Sequence, residues 1–245
     1  MEWSDDALVL AARPHGETSA ILETLTRDHG RHLGLVRGGA SRKSKSVLQP
    51  GNGVSLHWRA RLSEHLGTFT VEPAKARAGE MIESREALAG LNAFTATASA
   101  ALPEREVHAP VFEAATLLLD AMQASGFAHW GALYVRWEAG LLEELGFGLD
   151  LTKCASTGAT DNLLYVSPRT GRAVSGEAGA PYKDRLLALP GFLLGSQNAT
   201  PDAADVGAGL KLTGHFLRER VLVPHGKEIP AARLRLDAMA MGESK

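Results

Sequence analysis

Through the first 75 residues the apolar positions fall in short runs separated by clusters of turn-forming residues. ALVLAA (7–12) closes on Arg13-Pro14-His15-Gly16, and SAILETLT (19–26) alternates before Arg27-Asp28-His29-Gly30. RHLGLVRG (31–38), GVSLHWRARL (53–62) and LGTFTVEP (66–73), the last halted by Pro73, complete five expected strands. An open sheet of five such strands would leave its edges unpaired. A small closed barrel removes them, and the five-stranded OB-fold is the common solution of that size.

After Lys75 the period changes from two to that of a helix. ESREALAGLNAFTATASAAL (83–102) stops before Pro103, and PVFEAATLLLDAMQASG (110–126) opens on proline and closes on glycine. HWGALYVRWEAGLLEELGFG (129–148) is apolar at Leu133, Trp137, Leu141, Leu142 and Leu145. Further helical patterns cover 202–222 and 231–239. A polar stretch interrupts them with a strand-like LLYV (163–166), a Pro168/Gly171 turn and RAVS (172–175), which together predict a hairpin. The fold class is therefore α+β: an OB-fold barrel over 1–78, then a mainly helical domain over 79–245 with a β-hairpin insert at about 150–180.

The hairpin has the outline of a zinc knuckle. Cys154 begins a C-x-x-C spacing, but Thr157 stands at the partner position, and Ser175 and Ala178 occupy the matching gap on the other arm. A tetrahedral site needs four sulfur or nitrogen ligands, so no metal is expected there. Cys154 is also the only cysteine, which excludes an internal disulfide and fits a reducing cytoplasm. The acidic start MEWSDDALVL does not read as a secretory signal, and no apolar run is long enough to span a bilayer, so no membrane partner is expected.

Net charge is −2 over 245 residues, but its distribution is uneven. Residues 1–79 carry 11 basic against 8 acidic side chains, and the remainder 15 against 20. Within 27–61 there are eight basic residues (Arg27, Arg31, Arg37, Arg42, Lys43, Lys45, Arg59 and Arg61) and one acid, Asp28. A local excess of this kind is the electrostatic footprint expected for a polyanion. Its densest part, LVRGGASRKSKSVLQPG (35–51), reads as a loop after a strand end, turned by Gly38 and Gly39. The expected nucleic-acid contacts are Arg37, Arg42, Lys43 and Lys45, flanked by Arg31, Arg59 and Arg61. Phe69 reads as core, whereas Trp58 is either core or a base-stacking surface.

Catalytic patterns are missing. Gly39-Ala-Ser-Arg-Lys-Ser44 has Arg42 where a phosphate-binding loop needs glycine. There is no H-E-x-x-H and no G-x-S-x-G, and His29 and His32 lack a carboxylate pair at ligand spacing. No enzyme activity and no cofactor are expected. Glu143 and Glu144 read as an exposed helix face.

Three segments taken in order, HGETSAILETLTRDHGRHLGLVRGGASRKSK, YVRWEAGLLEELGFGLDLTKC and YVSPRTGRAVS, resemble the bacterial recombination mediator family RecO over nearly the full length. The chain departs from the family at the cysteines, which some members have as a set of four, and at PHGKEIPAARLRL, where a basic Ser-Arg element is expected. The resemblance implies an N-terminal OB-fold and a helical C-terminal domain. It also implies binding of single- and double-stranded DNA, strand annealing, and engagement of the C-terminal tail of the single-stranded DNA-binding protein. Joined to RecR, such proteins help load RecA, with cytoplasmic, nucleoid-associated localisation. The acidic, carboxylate-ended tail needs an apolar pocket rimmed by a cation. Arg136 with Leu133 and Trp137, or Arg218 and Arg220 beside Phe216 and Leu217, are the candidates. The alternative from a different class is an RNA- or ribosome-associated OB-fold adaptor using the same basic face.

Overall fold

The computed structural model describes residues 1–195 and 200–242. Five strands open the chain: β1 (Glu2–His15), β2 (Ser19–Thr26), β3 (Arg31–Val36), β4 (Gly53–Arg59) and β5 (Thr68–Lys75). They close into a barrel in the order β1-β2-β3-β5-β4, the strand order of an OB-fold. β1 is longer than the apolar run 7–12 because it serves two neighbours. Its first half, Glu2–Leu8, pairs with β4, and its second half, Ala7–His15, pairs with β2. A bulge between Val9 and Ala11 turns the strand from one partner to the other. Closure is a parallel contact of β3 with β5 at Leu35 and Thr68, where Leu35 N–H donates to Gly67 O at 3.1 Å.

Pro73 does not end β5, which runs on to Lys75. It lies beside a register shift in β4 between Gly53 and Val54, a place where the missing N–H is tolerated. β4 in turn stops at Arg59, short of the expected 62. The barrel interior holds Val9, Leu22, Val36, Val54, Leu56, Trp58 and Phe69. At position 34 any side chain would overlap the Phe69 ring, so glycine is required by the close approach.

The basic segment after β3 is a helical turn, α1 (Arg42–Val47), and not the expected loop. Ser41 caps it, its hydroxyl oxygen accepting the Ser44 N–H at 3.2 Å. Its far end is held by Asn52, which is buried. The Asn52 amide donates to Ser46 O (3.0 Å) and Val47 O (3.1 Å), and its oxygen accepts from the N–H groups of Arg77 (2.8 Å) and Ala78 (3.0 Å).

Three helices follow the barrel: α2 (Ala78–Met81), α3 (Arg85–Ala101) and α4 (Ala109–Ala124). α3 starts at the Ser84 cap and ends as the chain turns extended at Leu102 before Pro103. The change from strand to helix falls near residue 78, yet the first compact unit extends from Met1 to Gln123. Side chains tie α4 and the α3 end to the strands. Arg27 pairs with Glu113 (2.7 Å), Lys75 and Arg77 share Asp120, and Arg31 donates to Leu102 O (2.8 Å).

The second unit begins at Ala124. It contains α5 (Phe127–Glu144), β6 (Leu163–Val166), β7 (Ala173–Ser175), α6 (Gly176–Gly179), β8 (Leu187–Ala188), α7 (Ala203–Phe216) and α8 (Ala231–Ala240). β8 adds to the expected hairpin, making a three-stranded sheet in the order β7-β6-β8. The helical pattern 202–222 is α-helical only to Phe216, and Leu217–Leu222 is a π-helical stretch. Arg233 of α8 is fully buried and donates to both oxygens of Glu138 on α5 (2.6 and 2.8 Å) and to Leu210 O on α7 (2.9 Å).

Asn52→Ala removes four hydrogen bonds, two of them buried and two part-buried, and is expected to destabilise the protein by about 2–4 kcal/mol. The check is a urea titration followed by circular dichroism, in which the midpoint falls; an unmoved midpoint would refute the bridging role.

Candidate nucleic-acid interface

The end of β3, the α1 turn, and strands β4 and β5 together enclose a groove of about 880 Å³ on the barrel. Arg37, Lys43 and Arg59 line it with His57, over apolar groups that include Val47, Phe69 and Val71. No lining residue is acidic. All three cations are exposed, and none forms an ion pair with a described residue. Each arrives by a different route. Arg37 follows the last buried position of β3, Lys43 sits in the first turn of α1, and Arg59 ends β4. Their separation in sequence hides their convergence. α1 brings it about, and the sequence does carry a sign of α1 in the Ser41-x-x-Ser44 cap.

The other expected contacts lie elsewhere. Arg42 and Arg61 are exposed but do not line this groove. Lys45 faces a second cleft on the opposite side of α1. Arg31 is committed inward: its guanidinium meets Glu23 at 2.8 Å and its side chain is 16% exposed. That pairing removes Arg31 from the set of available phosphate contacts. Trp58 is core, 2% exposed, with its indole N–H donating to Leu66 O at 3.0 Å. Phe69 is core as expected. His29 and His32 pack around Trp3; His29 stacks on it at 4.0 Å, and burial lowers the His32 pKa.

In the second unit, α5 and the turn around Phe192 form a groove of about 930 Å³. Leu133 and Arg136 line it with Leu149, Leu151 and Phe192. Arg136 is exposed and is steered by Phe192, whose carbonyl accepts from Nε (3.3 Å) and Nη2 (2.9 Å). Trp137 points the other way and is 1% exposed, so it cannot touch a ligand in this groove. The helical period explains this, since one residue of advance turns a side chain by about 100°. Arg220 lies over the Phe216 ring and donates to Arg169 O, while Arg218 pairs with its neighbour Glu219. Neither lines the groove. Glu143 lines its rim, and Glu144 is exposed beside it.

An OB-type barrel followed by a helical unit with a small sheet defines a two-part α+β protein. Comparison with known families narrows this. The sequence model for Recombination protein O N terminal matches residues 1–77, and that for Recombination protein O C terminal matches 82–228. The chain is 55% identical over 237 residues to the DNA repair protein RecO of Rhodospirillum centenum, covering 96% of this chain and 93% of that one. It is 54% identical to the DNA repair protein RecO of Phenylobacterium zucineum and 53% identical to that of Caulobacter vibrioides, each over 96% of both chains. The chain belongs to the RecO family of DNA repair proteins.

The knuckle positions do not fit zinc. Around the Cys154 sulfur stand the hydroxyls of Ser175 and Thr157 and the Ser175 N–H, which donates at 3.3 Å. Ala178 lies in α6 and supplies only a methyl group. Among the described residues no group of three or more His, Cys, Asp or Glu could hold a metal ion. The Ser175 and Thr157 donors favour the ionised form of the sulfur. Donation from Ser175 first, then from Thr157, pulls the Cys154 pKa down to about 6 against a smaller opposing effect of burial.

A depressed thiol pKa contributes stability that is fully present above the unfolded value near 9 and is lost as pH falls through about 6. Wild type is therefore expected to gain stability over Cys154→Ala as pH rises through that window. Denaturation of both at the two ends is the check, and a pH-independent difference would show that the sulfur stays protonated.

Proposed function

We propose that the protein is a non-enzymatic DNA-binding and strand-annealing mediator of recombinational repair. The observation that carries this reading is the groove on the barrel, where Arg37, Lys43 and Arg59 converge with no acid among the lining residues. Phosphates entering the groove would release counterions, so affinity would come mainly from the backbone and fall steeply with salt. Cationic shielding also lowers the repulsion between two complementary strands, which is the physical requirement for annealing. Both single- and double-stranded DNA present the phosphates that such a groove would hold. Membership of the RecO family supports DNA as the polyanion.

The groove beside α5 suits the acidic tail of the single-stranded DNA-binding protein. Phe192, Leu133 and Leu151 would hold the apolar end, and Arg136 would meet the carboxylate. Tethered in this way to coated DNA in the cytoplasm, the protein would act with RecR to help load RecA at the nucleoid.

Two measurements test these assignments. Replacing Arg37, Lys43 and Arg59 together by Glu is expected to weaken single-stranded DNA binding and make the log K against log salt slope shallower by about 2, three contacts at about 0.7 each. Fluorescence anisotropy over a salt series reads both, and an unchanged slope in the folded variant would remove the groove from consideration. Arg136→Ala is expected to weaken binding of the tail peptide about tenfold while leaving DNA affinity as it was. Equal peptide affinity would place the tail elsewhere.

A further inference from the structure

On the other side of α1 from the basic groove lies a second cleft of about 360 Å³. One wall is the second half of β1, from Ala11 to Pro14, and the other is the chain from Lys45 to Pro50. Ala20, Ala40 and Leu48 form its base. The surface is built of small aliphatic side chains, with Arg13 and Lys45 as its only charged residues. Both are exposed, and neither forms an ion pair or a side-chain hydrogen bond with a described residue.

The β1 wall has a second property. Pairing of β1 with β4 ends at Leu8, so from Ala11 to His15 the strand is hydrogen-bonded to β2 alone. No backbone hydrogen bond joins Ala11–His15 to another element among the described residues. This stretch of β1 is thus an open edge, and it lies along an apolar cleft with two free cations. Pro14 has no N–H to offer, which limits strand addition to a few residues and protects the edge from unrestricted pairing.

We propose that this cleft is a docking site for an extended acidic segment of a partner protein. The segment adds along the β1 edge at Ala11–Arg13, places a small aliphatic side chain against Ala20 and Leu48, and sets carboxylates beside Arg13 and Lys45. Two observations favour a peptide over nucleic acid here. The cleft base is aliphatic, with no ring on which a base could stack, and the open backbone offers the alternating donors and acceptors that an extended peptide matches. The charge selects acidic over basic segments. Lys45 therefore belongs to a protein contact, and α1 separates that contact from the proposed DNA groove.

The test uses the full chain and a fluorescein-labelled peptide of roughly ten residues alternating Glu and Val, with a Lys/Val peptide as control. Wild type is expected to bind the acidic peptide, and the Lys/Val peptide at least about tenfold more weakly. Ala12→Phe, which puts a large ring into the cleft at an exposed position, is expected to abolish peptide binding while single-stranded DNA affinity stays unchanged. The double variant Arg13→Glu, Lys45→Glu is expected to reverse the preference between the two peptides. Three results would overturn the proposal. One is equal peptide binding by Ala12→Phe and wild type. Another is no binding of the acidic peptide by wild type; if DNA affinity also falls in Ala12→Phe, the cleft is part of the DNA site. The third is self-association abolished by Ala12→Phe, which would assign the cleft to a second copy of this chain.

Discussion

The barrel, the basic turn and the start of the helices all meet at one side chain, Asn52. An asparagine amide has two N–H donors and an oxygen with two lone pairs. Here all four are used, on Ser46 O, Val47 O, Arg77 N–H and Ala78 N–H. The two carbonyls are orphan acceptors at the end of α1, and the two amides open α2, so a single residue satisfies the termini of both elements. The main chain of Asn52 adds to this by accepting the Val9 N–H at 2.9 Å, beside the β1 bulge. A six-residue helix has little stability of its own. Its position, and hence the position of Lys43 and Lys45, follows from the Asn52 bridge.

That placement divides the basic segment by function. Without α1, residues 37–45 would be one solvated run of cations facing every direction. Wound into a helical turn, the run sends Lys43 to the basic groove and Lys45 to the aliphatic cleft, two residues and about 200° apart. The proposed DNA and protein contacts then share one element, α1.

The strands and helices were legible because burial in this chain follows period: alternation in β3 and β4, helical spacing in α5. The basic excess of the barrel was legible from composition. The fate of individual cations was not, because a local count of charge does not show distant partners. Arg31 turns inward to Glu23 on the adjacent strand and to Leu102 O, which is 71 residues away. α1 replaces the expected loop because its Ser41-x-x-Ser44 cap sits in a glycine- and serine-rich run whose composition fits a loop equally well. Trp137, expected beside Arg136 as its sequence neighbour, faces the other way because adjacent helix positions do. The edge of β1 was hidden as well, since the point at which a strand exchanges partners depends on a bulge that its composition does not mark.

The burial of the barrel aromatics constrains how the groove can be read. OB-folds that hold single strands by stacking need ring faces open to solvent. Trp58 has its N–H bound to Leu66 O and its ring enclosed in the core, with Trp3 stacked at 5.5 Å. Phe69 is 4% exposed and wedged against Gly34. Phe69 thus offers the groove little ring surface and the exposed aromatic ring among its lining residues is His57, while Arg37, Lys43 and Arg59 can follow phosphates whatever the sequence. A contact of that kind favours no base and does not require unpaired ones. It also leaves the base edges of a bound strand free, and an annealing protein must leave them free for the complementary strand to pair.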